Sequence, residues 1–172
     1  SFPAGPFPDP EHACPLPDGR FAVGTGGGFI KVMKGEVVEV RGAEGAAVKL
    51  HGDLVSLINE PEILAETGGQ PLGMAWHPDG YLVVCNPGIG LQRVGLDGTV
   101  TLLTDTAAGQ PIRFANAVDV APDGSILFTD SSRRFAPQDY SRDQLATAYD
   151  MLGARPHGRL LRYDPGTQAT RV

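Results

Sequence analysis

The stretch Phe114-Ala115-Asn116-Ala117-Val118-Asp119-Val120-Ala121-Pro122-Asp123-Gly124-Ser125-Ile126-Leu127-Phe128-Thr129-Asp130 reads as strand, tight turn, strand. Apolar residues recur on both sides of Pro122-Asp123-Gly124, and each member of that tripeptide suits a hairpin turn for its own reason. Proline presets φ, aspartate bonds to the backbone two residues on, and glycine supplies a positive φ without steric cost. The same tripeptide occurs at Pro17-Asp18-Gly19 and Pro78-Asp79-Gly80. Strands are therefore expected at Glu11 to Leu16, Leu72 to His77 and Asn116 to Ala121 before the turns. After them they are expected at Arg20 to Thr25, Tyr81 to Asn86 and Ser125 to Asp130.

Working outward, each hairpin is followed by two more strand-like runs: Phe29 to Met33 with Val37 to Val40, Gly90 to Val94 with Val100 to Leu103, and Arg159 to Tyr163 with Ala169 to Val172. Four short strands per roughly 40 to 45 residues is the period of a β-propeller blade. The chain is expected to be all-β, with about three blades, at about 10–70, 71–113 and 114–172, in one partial propeller domain over 1–172. The first unit is longer than the others, which places an insertion around Gly42 to Gln70. A β-sandwich with a shared turn type is the alternative. One helix interrupts the third unit. Ser141-Arg142-Asp143-Gln144 fits a capping box, Leu145, Ala148, Tyr149 and Leu152 follow at helical spacing, and Gly153 stops the run. Such a helix either covers a pocket or shields a sheet edge.

Composition agrees with a turn-rich globular chain. Of 172 residues, 41% are hydrophobic and 20% charged, with 23 Gly and 15 Pro punctuating the apolar runs. The net charge of -6, with basic residues scattered, disfavours a nucleic-acid partner. No apolar run reaches the roughly 20 residues that span a bilayer, and Ser1 to Pro10 lacks a signal-peptide pattern. The segment is expected to be soluble, without a membrane partner, in a compartment that these residues do not identify. Cys14 and Cys85 each lie in an apolar run and are expected to be unpaired, half-buried thiols. A ring of three blades is too short to close, since propellers have about four to eight. Remaining blades or a second copy are needed.

Aligning the repeats on the turn proline places Glu11, Leu72 and Asn116 at one equivalent position and Thr25, Asn86 and Asp130 at another. In a hairpin these positions face each other at the end away from the turn. The first strand of a blade lies nearest the axis, so Glu11 and Asn116 are expected at one end of the central channel. Both carry the oxygen donors that a hard cation such as calcium selects. At strand ends the same residues also satisfy backbone N–H groups. His12 follows Glu11, and Asn86 and Asp130 form a second ring. Other chemistries lack their signatures. Gly24-Thr25-Gly26-Gly27-Gly28 is not followed by Lys-Ser or Lys-Thr, the four histidines show no metal spacing, and Ser131-Ser132 sits in no Gly-x-Ser-x-Gly elbow. His77 precedes a turn and is expected at the surface, and Trp76 is expected in the core.

The Phe114 to Gly124 stretch with Ile126 to Ser132 resembles the strictosidine synthase-like branch of the gluconolactonase and paraoxonase six-bladed propellers. Gly69-Gln70-Pro71-Leu72-Gly73-Met74-Ala75, Pro10-Glu11 and Gly158-Arg159-Leu160-Leu161-Arg162-Tyr163-Asp164-Pro165 match as well. The resemblance implies the amino-terminal half of a six-bladed propeller. It also implies a divalent metal, usually calcium, held in the channel by Glu11 and Asn116 together with residues of later blades. In such relatives the ion polarises a lactone or ester carbonyl of a small-molecule substrate. Asn86, Asp130 and His12 become supporting or substrate-contacting residues, with Asp130 expected to orient Asn116. No catalytic residue is assigned. Ala117 stands where these relatives commonly carry Asp, and the catalytic Glu of strictosidine synthases would fall beyond Val172. The leading expectation is a calcium-assisted lactone or ester hydrolase; the alternatives are a non-catalytic binding scaffold and an amine-aldehyde condensing enzyme.

Overall fold

The computed structural model describes residues 10–34, 39–41, 47–49, 62–137 and 143–172. The first sheet contains β1 (Ala13–Pro15), β2 (Arg20–Gly24) and β3 (Phe29–Lys34). A local hairpin of β4 (Glu39–Arg41) and β5 (Ala47–Lys49) follows, and β6 (Glu62–Glu66) completes the sheet in the order β1-β2-β3-β6. The second sheet is a meander of β7 (Met74–His77), β8 (Tyr81–Asn86), β9 (Gly90–Gly95) and β10 (Val100–Thr104). A two-stranded hairpin, β11 (Thr106–Ala107) and β12 (Gln110–Pro111), leads to the third sheet. That sheet is β13 (Ala115–Val120), β14 (Ile126–Asp130), β15 (Arg159–Asp164) and β16 (Ala169–Arg171), with helix α1 (Asp143–Leu152) between its second and third strands. Three antiparallel four-stranded sheets in sequence are the blades of a propeller.

The turns form as their residue types dictate. Gly19, Gly80 and Gly124 have φ of 81°, 89° and 80°. Their N–H groups donate to the carbonyls of Leu16, His77 and Ala121 at 3.1, 3.0 and 2.9 Å. Asp18 and Asp123 Oδ1 accept from the amides of Arg20 and Ser125, both at 3.0 Å. These bonds favour the charged carboxylate. The Arg20 amide is the largest influence holding Asp18 below the ordinary carboxylate range, and the Ser125 hydroxyl is the largest for Asp123.

The sheets stack through two apolar layers. Cys14, Leu16, Ala22, Ile30 and Ala65 of the first sheet meet Met74, Leu82, Val84 and Val94 of the second, with Trp76 packed at the side. Tyr81, Val83, Cys85 and Leu91 on the other face of the second sheet meet Ala115, Ile126, Phe128, Leu161 and Tyr163 of the third. All six residues of β8 are consequently buried. A strand covered on both faces reads as a continuous apolar run, whereas the end sheets alternate. Their outward faces leave Ile63, Leu127 and Leu160 exposed. Both cysteines are free and buried rather than half-buried, Cys85 completely, and burial pushes both thiols up.

Three sequence expectations need correction. The fourth strand of the first sheet is β6, not Val37 to Val40. Val37 and Val38 lie outside the described residues, Glu39 to Arg41 pairs locally with β5, and Ala65 of β6 supplies the apolar contact with the second sheet. His77 is buried, not superficial. Its Nε2 lies 2.9 Å from the Gly124 carbonyl of the next hairpin, Asp79 N donates to its Nδ1 at 3.1 Å, and Tyr81 stacks on it at 4.4 Å. The ring thus carries its proton on Nε2 and ties two blades together. In α1, Leu145, Tyr149 and Leu152 of the expected apolar stripe are exposed and Ala148 lines a cavity described below, while Ala146 is fully buried. The expected cap, Ser141, lies outside the described residues. The helix is seated through Ala146, the Tyr149 ring against Phe135, and a polar tie in which Asp150 accepts the Ser132 hydroxyl at 2.6 Å.

Inner strands of adjacent blades approach closely at Gly73, whose N–H donates to Asn116 O at 2.7 Å. A Cβ there would meet Asn116 O and lie 2.8 Å from Ala117 Cα, both backbone atoms that cannot swing aside. Gly73→Ala should therefore destabilise the fold by roughly 1–3 kcal/mol, read from the urea midpoint. Because the Asp123 value is depressed, its stabilisation is complete above the unfolded carboxylate pKa of about 3.9 and is lost as pH falls through the lower folded value. Asp123→Asn, which keeps an acceptor but does not titrate, should flatten the decline of melting temperature below about pH 4.

Candidate functional site

The three equivalent positions Glu11, Leu72 and Asn116 all line one cavity of about 430 Å³. Gln70 and Phe114, each two residues upstream of an inner-strand position, complete this wall. The opposite wall comes from the third-blade insertion through Pro137, Thr147, Ala148 and Met151. The repeat thus brings its inner-strand starts together at one end, and the helix lies over them. A cavity of about 500 Å³ at the turn end, lined by His77, Asp79, Asp123 and Arg162 among others, contains none of the candidate residues.

Asn116 sits in a bulge. Ala115 pairs with Asp130 and Val118 with Phe128, so β13 carries one residue more than β14 between those pairs. Asn116 is therefore not opposite Asp130, contrary to the register read from the turn. Its Nδ2 donates to Ser131 Oγ at 3.0 Å, and the Ala117 amide donates to Thr129 Oγ1 at 3.0 Å. Bulges of this kind re-aim side chains beside functional sites. With Nδ2 engaged, Oδ1 is the end of the amide left to accept or coordinate.

Asp130 does not orient Asn116. It is fully buried, and its Oδ1 accepts the Phe114 amide at 2.8 Å while Oδ2 takes Arg159 Nη2 at 2.6 Å and Nε at 3.1 Å. Arg159 also donates to the carbonyls of Ala107 and Pro111 at 3.1 and 2.8 Å, gripping the β11–β12 hairpin. Asn86 does the equivalent task in the second blade. It too is fully buried, and its Oδ1 accepts the Gln70 amide at 2.8 Å. Its Nδ2 donates to Thr67 Oγ1 at 3.1 Å and Gln92 Oε1 at 3.0 Å. In both blades the reach is 16 residues back to the segment that enters the inner strand. The expected second ring is thus a pair of buried clamps that hold cavity-lining backbone. His12 is exposed and does not line the cavity.

Ser131, Arg159 and Gln70 are not among the expected site residues, whereas a helix over a pocket is one of the two expectations for α1. All three stand in the quoted motifs, but none carries a spacing signal. Among the described residues no group of three or more His, Cys, Asp and Glu side chains could hold a metal ion. Glu11 and Asn116 are the oxygen donors that the cavity offers from the inner-strand starts.

Removing one partner of a buried ion pair strands the other charge. Asp130→Ala should cost about 3–5 kcal/mol in chemical denaturation, and Arg159→Lys, which cannot reproduce the forked contacts, should not be tolerated as a neutral change.

Comparison with known proteins follows the same lines. Residues 116–172 match the sequence model of the strictosidine synthase family. The chain is 39% identical to strictosidine synthase-like protein 6 of Arabidopsis thaliana over 64% of this chain and 28% of that protein. It is 32% identical to the adipocyte plasma membrane-associated protein of Danio rerio over 80% of this chain and 34% of that one. In fold it superimposes on a gluconolactonase from Xanthomonas campestris with a TM-score of 0.60 and 16% identity, covering 95% of this chain and 46% of that structure. A second gluconolactonase-like structure gives a TM-score of 0.61 at 15% identity over 97% and 49%. The chain thus spans about half of each solved propeller and about a third or less of these curated relatives. The chain is thus similar in sequence to strictosidine synthase-like proteins, and its fold is that of about half of a gluconolactonase-type β-propeller.

Proposed function

We propose that this chain forms part of a calcium-assisted hydrolase that acts on a lactone or ester, with Glu11 and Asn116 as partial ligands of the ion. The observation that carries the reading is the convergence of Glu11 and Asn116, from different blades, on one cavity. In kind the donors fit: a carboxylate and an amide oxygen suit a hard cation, and Ser131 holds the amide nitrogen away from that task. In number they supply two of the six or more ligands that calcium takes, so the remainder falls to backbone carbonyls, water or other blades. When bound, such an ion would polarise the substrate carbonyl and stabilise negative charge on its oxygen.

The residues of this chain would bind and orient. Asn86 and Asp130 hold the Gln70 and Phe114 backbone, and with it the spacing between the two donors. They act through the backbone, because both are buried away from any ligand.

Assayed with calcium on a panel of lactones and aryl esters, the protein should hydrolyse at least one substrate. Glu11→Ala should lower kcat/KM by about a hundredfold, a loss of the size seen when one group that stabilises the oxyanion is removed. Ser131→Ala, which frees the Asn116 amide, should weaken calcium binding about tenfold by calorimetry. Turnover no higher than that of Glu11→Ala across the panel would remove the hydrolase reading and favour a binding scaffold.

A further inference from the structure

The end of α1 is tied down by charged and polar groups that the cavity chemistry does not use. Asp150 Oδ1 accepts the Ser132 hydroxyl at 2.6 Å, and Ser132 Oγ accepts the amides of Arg134 and Phe135 at 3.3 and 3.1 Å. The same carboxylate oxygen faces His157 Nδ1 at 3.2 Å, within charge attraction but off the line of a hydrogen bond. That nitrogen is buried and has no hydrogen-bond partner among the described residues. The imidazole packs edge-on to Phe135 at 6.1 Å between centroids. Its backbone is held by Arg133, whose amide and Nε both donate to the His157 carbonyl at 3.2 Å. The imidazole thus belongs to the sheet side of this latch, whereas the carboxylate rides on the helix.

The charge on the ring decides what the contact does. A protonated ring carries N–H on both nitrogens and sets a positive charge beside the carboxylate. In the neutral ring the remaining proton lies on one nitrogen only. On Nε2 it leaves the Nδ1 lone pair facing the Asp150 oxygen, which is repulsive; on Nδ1 it makes a bent, uncharged contact. Both are weaker than the ion pair. The other charged groups around the ring are arginines. Arg133 and Arg134 come from the segment that carries Phe135, with the Arg134 guanidinium 5.0 Å from that ring. Arg155 lies two residues before His157, and Arg159, two residues after it, is engaged by Asp130. These disfavour another positive charge, and Asp150 on α1 favours it. Closing the helix supplies that carboxylate, and withdrawing it leaves the arginines alone, so protonation and closure are linked.

We infer that His157 is a pH-sensitive switch: its protonation completes an ion pair with Asp150 that fastens the end of α1, and its deprotonation loosens that end. Fastening is complete below the range in which histidine changes charge, between about pH 5 and 8, and is lost as pH rises through it. Met151 follows Asp150 directly and lines the cavity with Thr147 and Ala148, so the loosened state opens that side of the cavity. The switch goes beyond the hydrolase reading and does not depend on it.

The test is hydrogen exchange of the whole chain, followed by mass spectrometry from pH 5 to 8.5, with rates corrected for intrinsic exchange chemistry. Peptides that cover α1 should gain about threefold in protection from pH 8 to pH 5.5, the size of a partly exposed ion pair, while β8 peptides stay constant. His157→Gln and Asp150→Asn should each leave α1 at the weaker protection at every pH. Two variants are used because His157→Gln alters the packing on Phe135, whereas Asp150→Asn keeps that packing and still accepts from Ser132. Arg155→Gln should move the midpoint to higher pH by removing a like charge, and His12→Gln should leave the profile unchanged. Protection of α1 that does not vary with pH, that varies equally in β8, or that keeps its pH dependence in both latch variants overturns the inference. A pH dependence that disappears in His12→Gln overturns it as well. Exchange is read without substrate, so each result stands apart from lactone or ester turnover.

Discussion

Two buried side chains organise the cavity end of this molecule. Asn86 and Asp130 each end the second strand of a blade and each accept the backbone N–H of a residue 16 positions earlier. An amide buried at such a place without a partner costs several times what a typical hydrogen bond contributes, so the entry to each inner strand is confined to where that acceptor lies. The third strand supplies the balancing group in both cases: Gln92 bonds to Asn86, and Arg159 to Asp130. The second blade solves the problem with neutral amides and the third with a forked ion pair. Position is the same; chemistry differs.

The inner strands can converge only because their crossing points are free of side chains. Gly24, at the end of β2, lies against the Pro71 carbonyl, Gly98 against that of Leu64, and Gly73, leading into β7, against Asn116. These crossings bring Glu11, Leu72 and Asn116 to a common cavity. His77 secures the turn end of the second junction through the Gly124 carbonyl. Stacking is then completed by the two apolar layers, which leave the outward faces of the first and third sheets open. Those faces carry Ile63, Leu127 and Leu160, the surfaces that further blades cover in a closed ring.

The bulge at Asn116 and the latch at Asp150 show how local irregularity serves the site. The bulge frees Asn116 from the alternation that governs Val118 and Phe128, and Ser131 then fixes its amide. Among the described residues, the helix is seated by buried Ala146, by the Tyr149 ring against Phe135 and by a polar tie at Asp150. A search for amphipathic spacing finds the helix but assigns its faces the wrong way round, since the spacing of Leu145, Tyr149 and Leu152 describes a surface that this chain leaves uncovered.

Some of this was legible from residues alone. Proline, aspartate and glycine act through local backbone geometry, so three hairpins, their spacing and the all-β class follow without any knowledge of contacts. Equivalence of Glu11, Leu72 and Asn116 follows from the same repeat. What the sequence by itself could not decide was which polar residues face the cavity and which are consumed in holding it. Asn86 and Asp130 read as a second ring of ligands, yet the fold buries them against backbone amides 16 residues away. Likewise, His77 read as a surface residue until the next blade covered it, and β6 was invisible as the fourth strand because its partner lies beyond a long insertion. Turn chemistry is decided by neighbours in the chain, whereas burial and the pairing of polar groups are decided by neighbours in space, and only the packed blades create those.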